Sequence, residues 1–144
     1  ICEITNWGKS KGKILTDILE NIYNFHGLFI EKLYTIKMEG IYGLKKINKI
    51  MENYRKNPPN KIFNDNVIKI IDYEKQSKNS IIKSKSNVIQ IFSKNNYILT
   101  LRPSGTEPKI KFYFSVNGIN YKKNKLKLSK LIDKEILKIK NEYE

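Results

Sequence analysis

Residues 97–116 read YILTLRPSGTEPKIKFYFSV, which is two strand patterns on either side of a polar loop. The first pattern, at residues 97–101, is rich in apolar and β-branched side chains. The second, at residues 109–116, alternates with a period of two, as a half-buried strand does. The alternation places these side chains on two faces: Ile110, Phe112 and Phe114 on one, and Lys109, Lys111 and Tyr113 on the other. The stretch predicts a strand, a loop and a strand.

Two further strand patterns precede this stretch, at residues 67–73 and 88–92. Residues 93–96 have the composition of a hairpin turn. On each side of the strands, apolar residues recur at helical spacing, from Leu44 to Tyr54 and from Leu126 to Ile139. Strands in succession with helices around them are typical of helices packed on an antiparallel sheet. We therefore predict an α+β fold with a four-stranded, mainly antiparallel sheet and flanking helices.

The first 40 residues have a helical pattern. Residues 1–12 show no period, and we expect them to be irregular. Residues 13–25 carry apolar side chains at the spacing of an amphipathic helix, and Gly27 follows in a capping position. A second short helix is predicted for residues 28–38. The sequence thus predicts a helical hairpin before the sheet, with a boundary at residue 40.

The composition limits the classes of function. The 144 residues suffice for one domain, or for one domain and part of another. The net charge of +14 is that of a nucleic-acid-binding protein, but it comes from 26 Lys and only 2 Arg. With no Ala, 24 Ile and 17 Asn, the sequence has the bias of an AT-rich coding sequence. Because base and phosphate readers rely on Arg, we expect a solvated lysine surface and no nucleic-acid partner.

The expected setting is a reducing compartment, the cytoplasm. There is one cysteine, Cys2, which cannot form an internal disulfide or a cysteine-based metal site. No apolar run reaches the roughly 18 residues of a membrane span, and we see no signal-peptide pattern. The chain begins at Ile1 rather than Met, so we interpret it as part of a longer product.

The 102–108 loop gathers groups that bind oxyanions. It offers the Arg102 guanidinium, the hydroxyls of Ser104 and Thr106, and at Gly105 a backbone N–H that no side chain covers. An arginine retained among so many lysines suggests a need for bidentate geometry. The alternative is a plain surface connection, because Gly, Ser, Thr and Pro are common in loops.

Residues 102–113, RPSGTEPKIKFY, closely resemble the C-terminal phosphate-loop signature of the α-D-phosphohexomutase family. Within the family they look most like the phosphoglucomutase branch, including the phosphoglucomutase-2/phosphopentomutase type. The resemblance implies that residues 1–40 are the helical end of a third domain and residues 41–144 a C-terminal phosphate-binding domain. It implies the following residues for the non-reacting phosphate of a sugar phosphate: Arg102, Ser104, Gly105, Thr106, Lys111 and, with a less definite contact, Lys109. Glu107 belongs to the same motif.

The family's chemistry also needs a phosphorylated serine, an Asp-x-Asp-x-Asp loop for Mg²⁺ and a Glu pair that reads the sugar. None of these occurs in this sequence. The resemblance therefore implies a fragment that is inactive alone and joins upstream domains of the same enzyme, with Mg²⁺ bound there and a glucose 1,6-bisphosphate-type activator. The alternative function is a non-enzymatic basic module that binds nucleic acid or a protein partner through its lysines.

Overall fold

The computed structural model describes residues 1–75, 85–119 and 121–144, except for the side chains of residues 121–123. The helices there are α1 (Cys2–Ser10), α2 (Leu15–His26), α3 (Gly40–Lys56) and α4 (Tyr121–Tyr143). The strands are β1 (Leu28–Lys37), β2 (Lys61–Ile62), β3 (Asp65–Asp72), β4 (Ile89–Ser93), β5 (Ile98–Pro103) and β6 (Lys109–Gly118). The mixed helix-and-sheet class is confirmed, but over the described residues the sheet has six strands, not four.

The sheet runs in the order β1-β6-β5-β4-β3-β2, and every neighbouring pair is antiparallel. β6 lies inside the sheet, between β1 and β5. The alternation predicted for β6 is confirmed, because Ile110, Phe112, Phe114 and Val116 are all buried. Between β3 and β4 the sequence is polar from Glu74 to Asn79. Most of that polar stretch lies outside the described residues.

β1 corrects the predicted helical hairpin. Instead of forming a helix, residues 28–37 pair with β6, from Leu28 opposite Gly118 to Lys37 opposite Lys109. Leu28 and Ile36 are each 2% exposed, whereas Leu33 is 52% exposed, so burial follows a period of two. These residues form a strand and not a helix because pairing with β6 satisfies their backbone hydrogen-bonding groups and buries one face of the strand. β1 precedes residue 40 and β6 follows it; the domain division at residue 40 stays a prediction.

The N-terminal helices also differ in part from the prediction. Residues 2–10, expected to be irregular, form α1. A Cβ at Gly8 would lie 2.7 Å from Ile18 Cδ1 and 3.0 Å from the Lys13 carbonyl oxygen, so a larger residue there would require the Ile18 side chain to shift. The helix predicted for residues 13–25 is confirmed as α2, and Gly27 follows it with a φ of 91°.

The core lies between the sheet and the pair α3 and α4. α3 contributes Ile47, Ile50, Met51 and Tyr54, and α4 contributes Leu128, Ile132 and Ile139. The opposite face of β5 and β6 carries the more exposed side chains, among them Arg102 and Tyr113. None of the described helices is both long enough and apolar enough to cross a membrane.

Candidate functional site

The segment predicted to be a loop, residues 102–108, begins with the last two residues of β5 and continues as the connection to β6. Backbone hydrogen bonds close this 102–108 loop. Ser104 N–H donates to the Lys109 carbonyl at 2.8 Å, and Lys109 N–H donates to the Glu107 carbonyl at 2.7 Å. Met38 N–H, just after β1, donates to the Pro108 carbonyl at 2.8 Å. The loop is thus tied to three strands of the sheet, which fix where its side chains begin.

Four cationic side chains start from one face of the sheet beside this loop. In the register of β5 and β6, Arg102 lies opposite Lys111. In the register of β1 and β6, Lys37 lies opposite Lys109. Opposed residues of antiparallel strands share a face, with their Cβ atoms about 4.5–5.5 Å apart, and residues two apart on one strand share it too. The strands therefore bring together Arg102, Lys111, Lys109 and Lys37.

Arg102 is the cation best placed to bind an external anion. Its side chain is exposed. Among the described residues, no hydrogen bond or ion pair engages its guanidinium. An unpaired guanidinium keeps its fork of N–H donors for a carboxylate or a phosphate.

Gly105, Ser104 and Thr106 are likewise available to a ligand. Gly105 does not have a left-handed φ, and a Cβ built on it would meet nothing within 4 Å. The fold of the described residues therefore does not require glycine there, whereas a ligand that approached the backbone would. The hydroxyl groups of Ser104 and Thr106 also bind no other described residue, and Thr106 is exposed.

Glu107 is the anion of this cluster. Its carboxylate forms a salt bridge with Lys109. The hydrogen bond and charge of Lys109, with the charges of Lys37 and Lys111, hold the Glu107 pKa below its ordinary value of 4.5. One carboxylate among four cations leaves the cluster positive, as an anion-binding site requires.

The strands thus place all six predicted site residues in or beside one loop, and their phosphate contacts stay a prediction. Sequence reasoning missed Lys37, because it lies in the stretch predicted to be a helix. The signal for it was present: residues 28–37 also alternate as a strand, with Leu28, Ile30, Tyr34 and Ile36 at even positions.

The described residues do not fit a Mg²⁺ site. No group of three or more His, Cys, Asp or Glu side chains there could hold a metal ion. Mg²⁺ in proteins is held by carboxylates together with water or phosphate oxygens. Apart from Glu107, which is paired with Lys109, the loop offers no carboxylate, so we assign no chemistry in this chain to a metal.

Comparison with known proteins shows what the chain is similar to. No family model matches the chain. Over 121 residues it is 42% identical to proteins named phosphoglucomutase from Staphylococcus aureus strains bovine RF122 / ET3-1 and USA300. A phosphoglucomutase from Staphylococcus aureus strain N315 is 43% identical over 116 residues. The first two alignments cover 78% of this chain but only 22% of each relative. With this similarity, the chain matches the C-terminal part of a phosphohexomutase.

Proposed function

We propose that the chain is the phosphate-recognition part of a phosphoglucomutase-type isomerase, most like the phosphoglucomutase-2/phosphopentomutase branch. Its 102–108 loop would bind the non-reacting phosphate of a sugar phosphate. The observation that carries the proposal is the exposed guanidinium of Arg102, which is unpaired among the described residues and lies opposite Lys111. The proposed ligands are the six predicted residues: Arg102, Ser104, Gly105, Thr106, Lys109 and Lys111.

Phosphate suits this loop for physical reasons. A phosphate monoester carries up to two negative charges and several acceptor oxygens. The Arg102 fork can bind two of these oxygens, while the Ser104 and Thr106 hydroxyls donate to others. Lys111 adds a positive charge from the adjacent strand. Such contacts hold a sugar phosphate in position, and positioning together with charge neutralisation dominates phosphoryl-transfer catalysis.

We infer that the chemical step belongs to other parts of the enzyme. The chain spans about a fifth of the length of the phosphoglucomutases it matches. The proposed upstream domains supply the phosphoserine, the Mg²⁺ ligands and the sugar-reading residues, and a glucose 1,6-bisphosphate-type activator serves the whole enzyme. The chain alone is then inactive, and its proposed setting is the cytoplasm.

The surface of α2 supports a contact with those upstream domains. The helix is amphipathic, yet none of its residues is buried, and Phe25 is 86% exposed. A concave surface beside it is lined in part by Trp7, Ile18 and Ile22. An apolar helix face is normally covered in a folded protein. We therefore propose that α1 and α2 end the preceding domain, whereas β1 is built into the sheet.

Hydrogen exchange tests this domain proposal. The amides of α2 should exchange more slowly in a longer polypeptide that includes the upstream domains than in the 144-residue chain. The amides of β6, which is paired on both sides in the chain itself, serve as the internal control. Equal exchange of α2 in both proteins would contradict the proposal.

The phosphate loop is tested by titrating the chain with inorganic phosphate and with glucose 1,6-bisphosphate while following backbone amide shifts. We expect the shifts to concentrate at residues 102–111. Arg102→Ala should abolish them, since a hydrogen bond to a charged group contributes roughly 1.5–3 kcal/mol. The control is Lys127→Ala, which removes an exposed positive charge on α4.

Two results would contradict the phosphate-loop proposal. One is the absence of localised shifts in the unmodified chain. The other is steep salt-dependent binding of nucleic acid that Arg102→Ala leaves unchanged, with no phosphate response at the loop. The second result would favour the basic binding module instead.

A further inference from the structure

Lys37 lies outside the signature loop but beside it in the sheet. It is the last residue of β1, it is exposed, and it lies opposite Lys109 in the register of β1 and β6. The next residue, Met38, donates its backbone N–H to the Pro108 carbonyl at 2.8 Å. The end of β1 is therefore bonded to the loop, and Lys37 starts from the face that carries Lys109 and Lys111.

This placement needs a compensating anion. Like charges directly opposite each other on neighbouring strands repel, and Lys37 and Lys109 are such a pair. Glu107 supplies the compensation through its salt bridge with Lys109. The charges of Lys37 and Lys111 act on the same carboxylate. In the absence of a ligand, the Glu107 carboxylate thus offsets part of the positive charge of Lys37, Lys109 and Lys111.

We propose that the phosphate site extends beyond the signature loop, with Lys37 of β1 as its fourth cation and the Glu107 carboxylate as an internal counter-ion that the phosphate displaces. This inference rests on the proposed function of the loop. It adds one ligand-binding residue from β1 and one residue that competes with the ligand.

Replacement of the Glu107 carboxylate by phosphate is electrostatically favourable. A carboxylate carries one negative charge, whereas a phosphate dianion carries two and presents more acceptor oxygens. The Glu107 side chain is 59% exposed, so it can turn into water when phosphate takes its place. An exposed ion pair of this kind contributes little by itself, and its loss is a small obstacle to binding.

The test measures the dissociation constant of inorganic phosphate by amide shifts in the full chain, in Arg102→Ala and in four further variants. Lys37→Gln should weaken binding roughly two- to fivefold, the scale of a surface charge pair. Glu107→Gln should tighten binding by a similar factor, because the competing anion is gone. Two controls remove the same charges elsewhere in the sheet: Lys69→Gln on β3 and Glu31→Gln on β1. Both should stay near the unmodified value.

Contrary outcomes are distinct. If Lys69→Gln weakens binding as much as Lys37→Gln, the net charge of the chain explains the effect, and Lys37 is not a cation of the phosphate site. If Glu107→Gln weakens binding, Glu107 positions Lys109 instead of competing with the phosphate. If neither Lys37→Gln nor Glu107→Gln changes a binding that Arg102→Ala abolishes, this inference fails while the proposed function stands. If the unmodified chain binds no phosphate at the loop, both fail.

Discussion

The two arginines of this chain lie in opposite surroundings. Arg55 on α3 has a side chain that is 12% exposed, and the fold engages its guanidinium. Its Nε donates to Asp72 Oδ2 at 3.0 Å, and its Nη2 lies 2.6 Å from both Glu74 Oε2 and Asn87 Oδ1. It thereby ties α3 to the end of β3 and to the residues before β4. Arg102 is exposed and has no such partner among the described residues.

The difference shows what the scarcity of arginine means in a lysine-rich chain. Each arginine carries a planar fork of N–H donors that lysine lacks. One fork is satisfied by the protein's own carboxylates, and the other remains available. Rarity therefore indicates a need for bidentate geometry, but the surroundings decide whether that need is structural or directed at a ligand.

The largest expected effect is on stability, at Arg55. Arg55→Ala should lower the free energy of unfolding by about 2–3 kcal/mol, because it removes the ion-pair partner of Asp72, whose side chain is mostly buried. Arg102→Ala, the matched change, should alter it by less than about 0.5 kcal/mol, as is usual for an exposed side chain. Denaturant unfolding of both variants measures the difference. Equal destabilisation would make Arg102 a structural residue too.

Gly105 offers a second way to separate fold from ligand. Gly105→Ala should leave stability unchanged or raise it by up to about 1 kcal/mol, since the added Cβ meets no described atom and the unfolded chain loses entropy. Phosphate binding should weaken roughly tenfold, the equivalent of about 1.4 kcal/mol. Unfolding and phosphate titrations measure the two effects.

Gly43→Ala is the contrasting control for Gly105→Ala. A Cβ at Gly43 would lie 2.7 Å from the Cβ of Met38, so this change should destabilise the fold. If Gly105→Ala destabilised the chain to the same degree, the loop glycine would serve the fold and its assignment to the ligand would be wrong.

The sheet could be predicted where its strands follow one another closely. The period of two in residues 109–116 predicted the buried face of β6. The loop could be placed as well, because it lies between two strands that the sequence predicts. β1 could not be assigned with the same certainty. Its apolar residues fit both a helix and a strand, and the choice depends on pairing with β6, far along the chain.

The short strand β2 shows the same dependence on distant contacts. The turn between β2 and β3 places Phe63 at a φ of 52°, a conformation that a bulky side chain seldom adopts. It is held there by burial and by its N–H, which donates to Glu135 Oε2 on α4 at 3.0 Å. No local pattern signals such a turn. In the candidate site, Lys37 was missed because residues 28–37, which also alternate as a strand, were predicted to form a helix. Its place beside Lys109 follows from the pairing of β1 with β6.

The smallest expected effect is a titration of Glu107. In the free chain its carboxyl should titrate below 4.5, chiefly because of Lys109, and Lys109→Gln should return the pKa toward that value. A pKa lowered by folding contributes stability that is present above 4.5 and is lost as the pH falls through the folded value. The loss should be slight, because the side chain is exposed. Carboxyl-carbon shifts followed against pH measure it.

Repeating the Glu107 titration with added phosphate tests how the two arginine sites differ. Bound phosphate brings negative charge close to Glu107 and draws the lysines away, so the Glu107 pKa should rise when phosphate is added. The carboxylates around Arg55 are paired with it in the fold, so they offer no such exchange with a ligand. An unchanged Glu107 pKa in a chain that binds phosphate would mean that the carboxylate keeps its lysine. The anion of the loop would then be as fixed as the anions around Arg55.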